Sequence, residues 1–247
     1  MNKPTGAVLW RGLSRYNEKP IALVVTGINP AKPSQNSKTG PVLQGHVLPV
    51  RVSPFQAVKT GYDAAVCGGC ALRPLAPKSR AKDVAGVCYV QTENGPTQVY
   101  KGLQRGLYPD MAIADLNPGK MFRHGAWGDS ASLPNKITLA INRFFHRTVG
   151  YTHNWRNRPG LRGSLMASVE SAAQALEARR RGWRWFRIIT EGEELLPGEV
   201  LCPNLTHGTQ CIDCGICDGA DGKCPLSIAV FVHGNGKGRF ERMQNAK

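Results

Sequence analysis

The chain has 247 residues, 41% of them hydrophobic, with 32 lysines and arginines against 17 acidic residues and a formal net charge of +15. That content is enough for one large α/β domain or two small ones with a sizeable core, so disorder is not the default. No apolar run reaches membrane-spanning length and the Met1-Asn2-Lys3-Pro4 start lacks a signal-peptide apolar stretch, so a cytoplasmic protein with no membrane partner is expected. The positive excess favours an anionic partner, a nucleic acid or a nucleotide. Eight cysteines in a reducing compartment point to metal binding or catalysis rather than to a disulfide framework.

Residues 1–60 read as an irregular, β-leaning N-terminal arm. Ile21 to Thr26 is a short buried-strand candidate, and Asn29 to Pro41 is a loop rich in Pro, Ser, Asn and Lys. Val47 to Val52 reads as a strand whose Pro49 suits an edge. From residue 61 to 247 short strands alternate with loops and helices. Ala64-Ala65-Val66 predicts a strand leading into Cys67, and Val84 to Val90 is a second apolar run. Pro96 to Leu107 predicts a helix with Val99, Leu103 and Leu107 on one face. Met121 to His124 predicts a strand, Ser132 to His146 a helix, and Val149 to His153 a strand. Ser164 to Ala167 is a weak strand. Ser168 is the expected cap of the next helix, with Glu170 in its first turn, an apolar stripe of Val169, Ala172, Ala173 and Leu176, and Gly182 as its stop. Trp183 to Ile189, Glu199 to Leu201 and Ser227 to Val232 are further strands.

Strand-then-helix alternation implies parallel strands and right-handed crossovers. Cys67, Asp129, His153, Glu191, Cys202 and His233 each follow the predicted C-terminal end of a strand, the edge that carries the site in barrels and open α/β sheets. The chain is short for eight full units. The expected fold is therefore α/β: an incomplete or distorted (β/α) barrel of about six strands, with the β-leaning arm before it and a Cys-rich segment, 202–224, near its end.

Two cysteine groups carry the chemistry. Cys211-x-x-Cys214-x-x-Cys217 is a continuous run with Cys202-Pro203 before it and Cys224-Pro225 after it. Zinc sites usually use two separate knuckles, whereas such a run with Cys-Pro nearby looks like iron–sulfur ligation. The position where bacterial ferredoxins place their next cysteine is Asp221 here. The other group is Cys67-Gly68-Gly69-Cys70 with Cys88. Three thiolates leave one corner of a four-iron cluster open, and with a histidine they would equally close a zinc site. The bland alternative is a disulfide-tied or merely buried set of thiols for the 211–217 run, and a pair of buried thiols plus one unrelated cysteine for the Cys67 group.

His124, Trp127 and Asp129 cluster about Gly125 and Gly128, where Asp129 could hold a ribose hydroxyl or merely end a solvated turn. His153-Asn154-Trp155-Arg156 joins a titratable ring, an amide, an indole and a guanidinium, a set able to stack on and hydrogen-bond a base. Asp129, His153, Trp155 and Arg156 are thus the ligand-binding candidates. Arg143, Arg147, Arg156, Arg158, Arg162 and Arg179 to Arg181 make the middle third basic, with Trp155, Trp183 and Trp185 interleaved. Phosphate contact is one reading and a solvated face over core tryptophans the other, which suits Arg179 to Arg181. No Walker A loop, dinucleotide fingerprint or His-Glu-x-x-His motif occurs, and no catalytic residue stands out.

The combination of Cys67-x-x-Cys70, Cys88-Tyr89, Arg123-x-Gly125-x-x-Gly128-Asp129, Gly150-Tyr151-Thr152-His153-x-Trp155, Ser168-Val169-Glu170 and the 202–219 cysteine segment resembles uncharacterised cysteine-motif proteins of bacteriophages and prophages. More distantly, the Cys-Tyr element and the strand-end positions resemble radical S-adenosylmethionine (SAM) barrels, although spacings of 2 and 17 replace their compact cysteine motif. This resemblance implies a [4Fe–4S] cluster on Cys67, Cys70 and Cys88 with SAM as cosubstrate, and an auxiliary cluster on Cys202, Cys211, Cys214 and Cys217. The expected function is a metal-binding, iron–sulfur protein of phage type whose enzymatic form is a radical-SAM-like reaction on nucleic acid or nucleotides. The alternatives are a zinc-dependent nucleic-acid-binding protein without catalysis and a phage accessory protein acting on a host factor.

Overall fold

Residues 147–152 leave one sheet and enter another at a single residue, Gly150. The computed structural model describes residues 3–73, 86–219, 225–234 and 236–245. The first sheet is built from β1 (Gly6–Leu13), β2 (Pro20–Thr26), β3 (Leu43–Pro49), β4 (Met121–Trp127) and β5 (Arg147–Val149), in that order. β1 and β2 pair antiparallel with a bulge between Val8 and Trp10, and β2 pairs antiparallel with β3. β3–β4 and β4–β5 are parallel. The second sheet contains β6 (Tyr151–Thr152), β7 (Met166–Val169), β8 (Trp185–Ile189), β9 (Glu199–Leu201) and β10 (Ser227–Phe231). Its order is β6-β7-β8-β10-β9 and every pair is parallel. The strand orders end at β1 and at β9, so no closed barrel forms among the described residues.

The N-terminal sixty residues are more regular than their composition suggests. β1 to β3 hydrogen-bond directly into the sheet that holds β4 and β5. β3 lies between β2 and β4 and is buried throughout, so Pro49 is not on an edge strand; it is the last residue of a central one, where a missing N–H costs least. After β3 come α1 (Pro54–Thr60) and α2 (Ala64–Cys67). Ser53 caps α1 by accepting the Gln56 amide, Pro54 opens it, and Gly61 ends it at φ +73°. Ala64-Ala65-Val66 is helical rather than a strand. The run is too short for periodicity to separate the two, and Asp63 and Gly68 punctuate it as a single turn. Residues 86–90 of the second apolar run form no strand, and residues 84 and 85 lie outside the described residues.

α3 (Gly95–Gln104) and α4 (Asn135–Phe144) match the periodic stretches. α5 (Ala172–Arg180) begins later than expected. Ser168 and Val169 complete β7, and the cap is Ser171, which accepts the Gln174 amide. The shift turns the helix, so Ala175 and Ala178 face the core and Leu176 is 44% exposed. The chain closes with α6 (Pro203–His207), α7 (Cys211–Cys214) and α8 (Lys237–Asn245). No helix among the described residues is long and apolar enough to cross a membrane.

One core lies against the first sheet, with Leu23, Leu48, Phe122, Leu133 and Phe145 at its centre. Another joins β7 and α5 to Trp155, Trp183 and Trp185. A buried ion pair ties β8 toward β9: Arg187 meets Glu199 at 2.7 Å, with both side chains almost wholly buried. The Trp185 indole also donates to Glu199, and Arg187 reaches Glu193 at 3.0 Å. Burial opposes the Glu199 charge, but the bonds from Arg187, the Leu196 amide and Trp185 outweigh it and hold its pKa below the usual carboxylate value.

Candidate functional site

The first cysteine group is assembled from a turn and a later irregular segment, facing the ends of β6 and β7. α2 stops at Cys67, and Gly68 (φ +56°) reverses the chain. A Cβ at Gly68 would stand 2.6 Å from the Asn154 side-chain oxygen, so the turn needs glycine there. Asn154 holds both sides of it: Oδ1 accepts the Gly69 amide at 2.9 Å and Nδ2 donates to the Cys67 carbonyl at 3.0 Å. Arg73 braces the same turn, donating to the Gly68 carbonyl and gripping Asp63 with two nitrogens. Cys88 arrives on a later segment, tied by its amide to the Leu72 carbonyl at 2.9 Å. Burial raises the Cys67 thiol well above its usual pKa, and nearby charge on Cys70 and Cys88 raises it further. The three thiols thus sense one another although seventeen residues separate Cys70 from Cys88.

His153 faces this group from the end of β6. It hydrogen-bonds Cys70, and its Nε2 lies 2.9 Å from Glu170 Oε1 and 3.0 Å from Ser168 Oγ. Burial would lower the His153 pKa, but Cys70 and Glu170 outweigh it and raise the pKa well above the usual value. Glu170 is 4% exposed and follows β7. Thiol, imidazole and carboxylate therefore stand in sequence. Such a set offers the donor types of a nucleophilic site or of a metal site.

The four ligand-binding candidates do not form one set. Asp129 follows β4 but spends its oxygens inside the protein. It accepts from the Ala131 amide, the Thr152 hydroxyl, the His153 amide and the Asn154 side chain at 2.8–3.2 Å. It positions His153 and Asn154 beside the cysteines. Trp155 is 1% exposed, and Arg156 stacks on it while pairing with Glu177. Both point into another part of the surface. His124 is buried in the core, and Glu191 is exposed and pairs with Lys237.

The second group is Cys202, Cys211, Cys214 and Cys217. Cys202 follows β9, its amide bonded to the Ala229 carbonyl. Burial raises Cys217 well above the usual thiol value, followed by Cys211, Cys202 and Cys214, so these four are also gathered. Their segment is anchored where β3 and β5 begin. The Cys211 and Ile212 amides donate to the Lys38 and Thr39 carbonyls, and Arg147 donates to the Ile212 and Cys214 carbonyls. The Cys217 carbonyl accepts the Gly150 amide at 3.0 Å. Cys202 thus lies at a strand end, whereas the 211–214 segment is anchored at strand beginnings. Cys224 lies outside the described residues.

Polar aromatic side chains connect the groups. Tyr89, next to Cys88, shares a 2.9 Å hydrogen bond with Tyr151. Tyr151 stacks on Phe186 at 4.4 Å and hydrogen-bonds Arg123. Burial would lower the Arg123 pKa, but Tyr151, Tyr89 and Cys211 outweigh it and raise it. A cavity of about 50 Å³ opens beside this chain, lined among others by Leu72, Tyr151, His153, Val230 and His233.

Among the described residues no three His, Cys, Asp or Glu side chains converge on one point closely enough to hold a single ion. Glu170, Arg73, Arg123 and Tyr151 escape notice in the sequence as parts of the site. For Glu170 a signal existed: Ser168-Val169-Glu170 ends an apolar stretch, as Tyr151-Thr152-His153 does, and adjacent parallel strands bring such ends together. Compared with protein-family models, curated proteins and solved structures, the chain matches none.

Proposed function

We propose that this chain is an iron–sulfur protein whose first cluster is held by Cys67, Cys70 and Cys88 and whose second is held by Cys202, Cys211, Cys214 and Cys217. The observation that carries the reading is the gathering of thiols from distant segments into two sets, Cys67 lying near enough to Cys70 and Cys88, and Cys217 near enough to Cys211, Cys202 and Cys214, to feel their charge. Gathering thiolates without a metal is unfavourable because their charges repel, and a metal reverses the sign. A structural zinc draws donors to about 2.3 Å from one centre, whereas thiolates on a cluster stand on separate irons.

Three thiolates on four irons leave an open iron, which would supply a place for SAM and one-electron chemistry on a nucleic acid or nucleotide. In support, β3, β4, the β5–β6 pair, β7, β8 and β10 run parallel and in that spatial order. We read them as the open arc of an incomplete barrel of about six strands, with the first group at its C-terminal edge. His153, held by Glu170 and Ser168, would hold a proton at Nε2 beside that site, while Asp129 and Asn154 fix the turn carrying Cys67 and Cys70.

A second reading is favoured by one contact. His153 meets Cys70, so Cys67, Cys70, Cys88 and His153 supply the Cys₃His donors of a structural zinc. The test is anaerobic purification with iron, labile sulfide and zinc analysis and an absorption spectrum. Iron with matching sulfide, and a broad absorbance bleached by dithionite, supports clusters. Stoichiometric zinc in a colourless protein replaces the first reading by the second.

A further inference from the structure

A cleft of about 290 Å³ is lined by Trp155, Arg156, Pro159, Arg162, Arg181 and Trp183. It belongs to neither cysteine group. Arg156 lies over the Trp155 ring at 4.2 Å and Arg181 at 5.8 Å. Both pair with the single carboxylate of Glu177, at 2.5 and 3.0 Å. Arg162 donates to the Arg181 carbonyl at 3.3 Å, and Gly182 leaves room for it, since a Cβ there would stand 2.9 Å from Arg162 Nη1. Three guanidiniums and one carboxylate leave a surplus of two positive charges. Arg179 and Arg180 add exposed charge on the last turn of α5. The Trp155 side chain is buried, yet its indole N–H has no partner among the described residues.

A helix C-terminus by itself repels anions, because its last carbonyls are unpaired. Here the arginines overturn that: Arg162 covers one carbonyl, and Arg156 and Arg181, which share the Glu177 carboxylate, line the cleft with 38% and 51% of their side chains exposed. Guanidinium forks match phosphate oxygens in pairs. The rings offer no face to a base, because Trp155 is 1% and Trp183 4% exposed. The chemistry is recognition of a phosphate without recognition of a base.

We propose that this cleft holds the phosphodiester backbone of a nucleic acid, independently of sequence, on Arg156, Arg162 and Arg181. The inference rests on the nucleic-acid part of the reading above and not on its cluster part. Backbone contacts release counterions, so each one adds about 0.7 to the slope of log affinity against log salt for a single strand.

The test measures anisotropy of a labelled mixed-sequence single-stranded DNA with the full chain across a salt series. R162Q/R181Q is compared with K101Q/R105Q, an equal charge change at the end of α3. The cleft pair should lose at least about tenfold in affinity and about 1.4 in slope, the remote pair no more than about twofold. Equal losses in both pairs, or an unchanged slope in the cleft pair, overturn the cleft. If the cleft pair does not fold, R162Q alone carries the test, with an expected slope loss of about 0.7. Inorganic phosphate at matched ionic strength should not displace the strand; displacement at micromolar phosphate overturns the nucleic-acid occupant in favour of a free phosphate. No binding by the unaltered chain at low salt overturns both this inference and the nucleic-acid reading. Iron and sulfide content of the same preparations reports on the clusters separately.

Discussion

The side-chain oxygen of Asn154 accepts the Gly69 amide across 85 positions of sequence, at 2.9 Å, while its nitrogen donates to the Cys67 carbonyl. One amide therefore sets the shape of the turn between two proposed ligands. It also donates to Asp129 at 2.8 Å. Asn154→Asp keeps the size but removes both donated bonds and puts a second carboxylate against a buried one. We expect a loss of about 2–4 kcal/mol in unfolding free energy, from unpaired buried charge, and a lower iron content. Denaturant titration checks it, and a midpoint equal to that of the unaltered chain would show that the clamp carries no weight.

Cys88 separates the cluster and zinc readings of the first group. Cys88→Ala removes one sulfur from an exposed position and no core side chain. With a cluster there, iron falls to what the second group holds and the fold persists. With structural zinc, metal loss costs on the order of 10 kcal/mol and residues 67–88 become protease-sensitive. Metal analysis with limited proteolysis distinguishes the two, and unchanged metal and stability would remove Cys88 from the ligand set.

Acid should destabilise the fold through His124 and His46. His124 accepts from Ser130 at Nδ1 and donates from Nε2 to the Asn142 oxygen at 2.7 Å. The Asn142 nitrogen is committed to the Ser164 carbonyl, which fixes this orientation and with it the neutral ring. Burial lowers the His124 pKa from 6.5 to about 4, and burial with Arg123 lowers His46 to about 3. In the unfolded chain both protonate near 6.5, so the unfolded state holds more protons below that pH. Stability is full above pH 6.5 and is lost as pH falls toward 4 and then 3, at about 1.4 kcal/mol per unit for each histidine. His124→Gln should flatten the stability–pH curve between pH 6.5 and 4. An unchanged slope would mean that His124 is charged in the fold.

The Arg187–Glu199 pair should show strong non-additivity. Arg187→Met leaves a buried carboxylate without its main partner and should cost about 3–5 kcal/mol. Adding Glu199→Gln should recover part of that loss. Chemical denaturation of the two single variants and the double variant gives the coupling, and additive losses would contradict the pair's burial.

The cysteine spacing and the apolar runs of β2, β8 and β10 are readable because each is a local pattern. So is the placement of Asp129, His153, Cys202 and His233 after strands. The path of residues 64–70 is not readable: three apolar residues suit a strand or a helical turn equally, and only Gly68 at φ +56° against Asn154 decides. The face of α5 is misplaced because Ser168 and Ser171 are both acceptable caps, and pairing of β7 with β8 claims Ser168. Trp155 and Arg156 look like a stacking site in sequence, but the fold buries the ring against Trp183 and turns Arg156 to Glu177. Glu170 is hidden because its partner, His153, is a neighbour only once the sheet forms.

Gly150 also bears on how the chain can be divided. The strands on either side of it have three and two residues, too few to persist unless both sheets are present. Its amide and carbonyl are taken by Cys217 and Met166, and a Cβ there would meet that of His124 at 2.5 Å. A protein cut or circularly permuted at this residue would yield halves that each lack a wall, and the halves would reassemble only if both were supplied together. The viable places to open the chain are therefore the surface loops, and the two sheets are expected to appear in refolding at the same rate.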